Sequence, residues 1–124
     1  VGSEMCIRDS YKNCIANCDV VLTLDSMNIE ANYFKGLAYC NMAKASSDAM
    51  KKSELKSAAY RKYRTEMMTY YALAEEPLEQ VRRLSPDKAS RWAPLLYQVY
   101  LNQNKGEEFD EMERIIRDIK KPEK

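Results

Sequence analysis

An all-helical chain is what this sequence predicts, and three observations predict it. The 124 residues hold only 3 glycines and 4 prolines. A β-rich fold needs more, because its many turns draw on Gly, Pro, Asn and Asp. The filler is Ala, Leu, Met, Lys, Glu and Arg, side chains that lose little rotamer freedom in a helix. Apolar residues also recur at three- and four-residue intervals, as one buried helix face requires.

Residues 11–24 place Tyr11, Cys14, Ile15, Cys18, Val21, Leu22 and Leu24 at helical spacing. Asp25-Ser26-Met27-Asn28 is a stop and turn, with Asn28 positioned to cap the next helix. Residues 29–45 carry a stripe of Ala31, Phe34, Leu37, Ala38 and Met42. Gly36 interrupts it at a cost of about 1 kcal/mol relative to Ala, which predicts a close helix crossing. Residues 46–56 are polar and weakly patterned, and read as a turn or a frayed helix end. Helix returns over 57–84, where Pro77 removes a backbone hydrogen bond and predicts a kink near 73–77. Ser85-Pro86-Asp87 ends that run. Ser90 is the expected N-cap of the next helix, which would leave Pro94 in the tolerant first turn. Leu95, Leu96, Val99, Tyr100 and Leu101 follow. After a turn at 102–106, Phe109, Met112, Ile115, Ile116 and Ile119 carry a last helix. Its early acids, Glu107, Glu108 and Asp110 among them, suit a helix N-terminus. Residues 121–124 read as a charged, frayed tail. The expectation is five helices joined by short loops.

Charge and composition narrow the function. Twenty basic residues balance 19 acidic ones, so the net charge of +1 gives no global pull toward nucleic acid or a membrane. No stretch approaches the roughly 18 apolar residues of a membrane span. The chain has no His, no Gly-rich phosphate loop and no nucleophile elbow, so the sequence points away from an enzyme and implies no cofactor. With Cys6 set aside in the suspect first ten residues, Cys14, Cys18 and Cys40 are too few for a four-ligand metal site and read as buried small hydrophobes. Unpaired cysteines lean toward a reducing compartment, which leaves cytoplasm and export both open.

Two helix junctions, Cys14–Tyr39 and Ala74–Tyr100, resemble the tetratricopeptide-repeat (TPR) family. The second carries Ala74, Leu84, Pro86, Trp92 and Leu95 in that pattern, and the first carries Leu24, Gly36 and Tyr39. Ser26 stands in place of the usual Pro, Asn32 in place of an aromatic, and Leu96 in place of a small residue. Ser26 and Pro86 lie 60 residues apart, so the middle repeat exceeds the usual period of about 34. The resemblance implies an all-α, TPR-like solenoid over residues 11–120: a trailing helix, then two antiparallel pairs, about two and a half repeats. The middle pair would be extended. Tyr-rich helices and the Leu-x-Pro-Asp junction are similar to bacterial members. A missing neighbour would leave an exposed apolar edge at Tyr11–Leu22. Residues 1–10, VGSEMCIRDS, resemble a translated sequencing adapter and are expected to be foreign to the fold.

What the resemblance implies for function is a scaffold that binds another protein along a concave face. That face is lined by the first helix of each pair. By position it would present Glu30, Tyr33, Leu37, Cys40 and Asn41, then Ser90, Ala93, Tyr97, Tyr100 and Leu101. Glu30, Tyr33, Leu37, Asn41, Tyr97 and Tyr100 are the candidate contacts, tyrosine being favoured in binding hot spots. A second candidate is the basic stretch Lys51, Lys52, Lys56, Arg61, Lys62 and Arg64 with Tyr60 and Tyr63 interleaved. It could meet nucleic acid or an acidic partner, although near-zero net charge and the lack of a nucleic-acid motif favour a solvated face. A third reading is a non-catalytic C-terminal module of a larger enzyme or sensor.

Overall fold

The structure is a computed structural model and describes residues 2–120, with side chains from residue 9 onward. Five helices follow in order: α1 (Gly2–Leu24), α2 (Ile29–Lys51), α3 (Ala58–Leu84), α4 (Ala89–Asn102) and α5 (Gly106–Lys120). No strand occurs among the described residues. Helix α1 runs unbroken through Ser10 and Tyr11, so no structural boundary falls there. The tail expected at 121–124 lies outside the described residues.

The junctions follow local chemistry. Asn28 caps α2, its Oδ1 accepting from the Ala31 N–H at 2.8 Å, and the Ser57 hydroxyl accepts from Tyr60 N–H at 3.1 Å to start α3. The α1–α2 and α3–α4 turns close alike, 60 positions apart. Asp25 N donates to Val21 O at 2.8 Å and Asn28 N to Asp25 O at 3.2 Å. Ser85 N donates to Val81 O at 2.8 Å and Lys88 N to Ser85 O at 3.1 Å. Each turn is then tied by a buried side chain from the helix that follows it. Asn32 Nδ2 donates to Ser26 O and Asn28 O, and Trp92 Nε1 donates to Ser85 O at 3.0 Å. Asn32 therefore performs, with two bonds, what the indole does in the second turn.

The main core joins four helices: Cys40 and Ala43 of α2, Tyr71, Leu78 and Val81 of α3, Trp92, Leu96 and Val99 of α4, and Met112 of α5. A smaller cluster seats Ile15 of α1 on Ala38 and Met42 of α2. Gly36 is the close crossing: a Cβ there would stand 2.5 Å from Leu78 Cγ. The long pair, 23 and 27 residues, outruns the 14 and 15 residues of α4 and α5.

Several expectations are corrected. Helix α2 continues to Lys51, confining the turn to 52–57, because Ser46 is buried and donates to Glu66 Oε2 of α3 at 3.3 Å. Helix α3 runs on past Pro77, as expected, and the carbonyl left without its helical donor belongs to exposed Leu73. Ser90 is not the N-cap. Helix α4 begins at Ala89, directly behind the turn closed by Lys88, with no side-chain cap. Pro94 therefore sits in the second turn and leaves the carbonyl of exposed Ser90 to solvent. The exposed apolar edge of α1 lies at Val20, Val21 and Leu24, whereas Ile15 and Cys18 are buried against α2.

Candidate partner-binding surface

Helices α2 and α4 touch directly, with no helix between them. Arg91 of α4 makes that contact. Its guanidinium grips the Glu30 carboxylate with two bonds of 2.6 Å each and lies 4.0 Å from the centroid of the Tyr33 ring. Planar charge, paired oxygens and an aromatic face suit arginine where lysine would satisfy only one of the three. The pair is open to solvent, so its role is registry between the helices more than stability.

Position on the helices decides what this surface offers. Glu30, Phe34, Leu37 and Asn41 are spaced by four, three and four residues and share one side of α2. All four are exposed or half-buried. Phe34 was expected in the apolar core stripe, yet it is 44% exposed and stands edge-on to Tyr33, with centroids 5.4 Å apart. Helix α4 adds exposed Pro94, Gln98 and Leu101.

The tyrosines sit differently from expectation. Tyr33 is half-buried beneath Arg91. Tyr97 packs on Phe109 of α5 at 4.7 Å between centroids and is half-buried. Tyr100 is 3% exposed, with its hydroxyl donating to Glu79 of α3, so it is a core residue and presents no surface. Cys40 and Ala93 are buried too. Phe34 and Arg91 were the residues sequence reasoning missed. The Glu30-Phe34-Leu37-Asn41 spacing could have found the first, whereas nothing in the sequence joins Arg91 to a residue 61 positions away.

A cleft of about 250 Å³ opens at the α4–α5 turn, lined by Tyr100, Leu101, Asn104, Lys105, Gly106 and Phe109. It adjoins the far end of the α4 face through Leu101. Burial pushes the Cys40 thiol up to about 12 and the Cys18 thiol up to about 11, far from thiolate at neutral pH. No cluster of metal-ligating side chains occurs among the described residues. No helix there is long and apolar enough to cross a membrane.

The basic stretch divides. Lys52, Lys56, Arg61, Lys62 and Arg64 are all exposed. Arg61 and Arg64 share a side of α3, whereas Lys62 is turned about 100° from Arg61. Tyr60 and Tyr63 are half-buried, and Lys62 lies 5.8 Å from the Tyr63 ring.

Comparison with family models, with curated proteins and with solved structures gives no match.

The bonds from Arg91 hold the Glu30 carboxyl below its ordinary range. A carboxyl depressed by folding favours the native state above its unfolded pKa and loses that contribution as pH falls through the folded value. In an NMR titration, Glu30 should therefore titrate at lower pH in the wild-type chain than in an Arg91→Gln variant. Equal midpoints in the two chains would show that the Arg91 bridge is absent in solution.

Proposed function

We propose that this chain is a TPR-like helical-repeat scaffold that binds an extended or helical segment of another protein along the surface shared by α2 and α4. The observation that carries the reading is the repetition of the junction. Two turns with the same closing hydrogen bonds, 60 residues apart, each lead into a helix tied back by its own residue, Asn32 or Trp92. Helices α2 and α4 are then corresponding first helices of successive pairs, and their direct contact lays their outer sides next to each other. Such a surface suits a segment reading anchors at several positions.

Its chemistry is mixed. Phe34, Leu37, Pro94 and Leu101 supply apolar area, and Glu30, Asn41 and Gln98 supply polar contacts at the side. Aromatic and aliphatic anchors within a polar rim are what a protein interface needs.

Panning a displayed peptide library on the whole chain tests this. Selected peptides should lose roughly tenfold or more in affinity for Phe34→Ser and for Leu37→Asp. They should keep their affinity for Lys52→Glu. The proposal fails if the selected peptides ignore both α2 substitutions while circular dichroism shows both variants folded.

A further inference from the structure

The α2–α3 turn carries a feature that the binding surface does not use. The cations in ion pairs lie away from it: Lys35 with Asp19, Arg82 with Glu79 and Glu111, Arg83 with Glu76, Arg91 with Glu30, Lys105 with Glu75 and Arg117 with Glu113. Lys51, Lys52, Lys56, Arg61, Lys62 and Arg64 are exposed, and none of them is in an ion pair among the described residues. Glu54 is the one acid within that stretch. Unneutralised cations at such density set up a local positive potential that a net charge of +1 conceals.

The apex itself is ordered. Ser57 N donates to Glu54 O at 3.0 Å, closing a four-residue turn with Leu55 and Lys56 at its centre. Lys56 takes a left-handed backbone, with φ of 69°, which a non-glycine residue adopts at some cost. Arg61 Nη1 holds the Lys56 carbonyl at 2.6 Å. The turn so held displays Leu55 at 72% exposure, an apolar side chain flanked by Lys52 and Lys56.

We propose that this apex docks on an anionic lipid surface, with Leu55 entering the headgroup–acyl boundary and the surrounding cations meeting lipid phosphates and carboxylates. A cluster of four to eight basic residues is roughly what attraction to an anionic leaflet requires, and one inserted apolar group supplies the second, short-range contribution. Nucleic acid fits less well. Stacking needs open aromatic faces, whereas Tyr60 and Tyr63 are half-buried and leucine offers nothing to a phosphate. A convex turn apex also lacks the groove that an acidic peptide would occupy.

Co-flotation of the whole chain with phosphatidylcholine vesicles, with and without phosphatidylserine, tests the proposal. Binding is expected only with phosphatidylserine and should weaken as salt is raised. The double variant Lys52→Glu with Lys56→Glu should lose roughly tenfold or more in partitioning, and Leu55→Ser roughly fivefold. The remote double variant Lys88→Glu with Arg114→Glu makes the same charge change and should bind like the wild type. In a Leu55→Trp variant, indole emission should shift to the blue on phosphatidylserine vesicles, because Trp92 is already buried. Absence of binding to phosphatidylserine vesicles overturns the proposal. So does equal loss in the remote variant, or binding that ignores Leu55→Ser while RNA is bound as tightly as lipid.

Discussion

Gly36→Val should destabilise the fold by about 3 kcal/mol, although helix propensity alone favours almost any replacement of a mid-helix glycine. The reason is the crossing of α2 over α3. A Cβ on residue 36 meets Leu78 Cγ at 2.5 Å, Cδ2 at 2.6 Å and Cδ1 at 3.3 Å. The first of these atoms is the branch point of the side chain, so a rotation about the terminal bond does not clear it. Leu78 is itself fully buried and has no open space to enter. Gly36→Ala discriminates more finely. Propensity returns about 1 kcal/mol, and overpacking costs about 1–3 kcal/mol, so the net change should still be a loss. Combining Gly36→Ala with Leu78→Ala should show a coupling of about 1 kcal/mol or more, since the second change removes the atoms that clash. Urea denaturation followed by circular dichroism reads all four corners of that cycle. A more stable Gly36→Ala chain would mean that α2 and α3 cross farther apart than the structure places them.

Gly36 also shows why most of the fold was legible. A glycine inside a strong helical pattern is costly, so a crossing was a natural reason for it. Breaker scarcity and apolar spacing marked five helices, and Asn28 marked its cap through a side chain suited to that one position. Misreadings arose where a residue's environment is set by distant chain. Ser46 looked like a turn residue because serine ordinarily meets water. Its acceptor is Glu66, 20 positions on, and the helix therefore continues. Ser90 was misread for a local reason instead: the Lys88–Ser85 bond had already closed the turn.

The candidate surface was legible by halves for the same reason. Helical spacing placed Glu30, Leu37 and Asn41 on one side of α2. It could not separate Phe34 from the core stripe, because an aromatic residue fits either side of a helix that is covered on most of its circumference. Nor could it show that Tyr33 lies under Arg91, or that Tyr100 turns inward to Glu79. Those are consequences of how α4 sits against α2 and α3, through contacts between residues 21 to 61 positions apart.

Trp92 packs α4 into the core shared with α2, α3 and α5. It is 3% exposed, its ring is capped by the Arg82 guanidinium at 5.3 Å, and its Nε1 ties α4 to the Ser85 carbonyl of the preceding turn. Trp92→Ala should cost about 3–5 kcal/mol, the usual consequence of truncating a large buried aromatic. Trp92→Phe should cost less. It keeps most of the ring volume, and the Ser85 carbonyl still accepts from Lys88 N. The distribution of the loss matters more than its size. On the proposed repeat reading, stability is divided between each helix pair and its interface with the next. Removing an interface residue should therefore release α4 and α5 before α2 and α3, whose mutual packing includes Gly36–Leu78 and Ser46–Glu66. Hydrogen exchange on Trp92→Ala should then show α4 and α5 amides losing protection first, while the middle of α3 stays protected. Loss of protection in step across all four helices would mean instead that they unfold as one cooperative unit. The proposed division into repeat pairs would then not hold for the energetics, and a partner bound on the proposed α2–α4 surface would stabilise the whole chain at once.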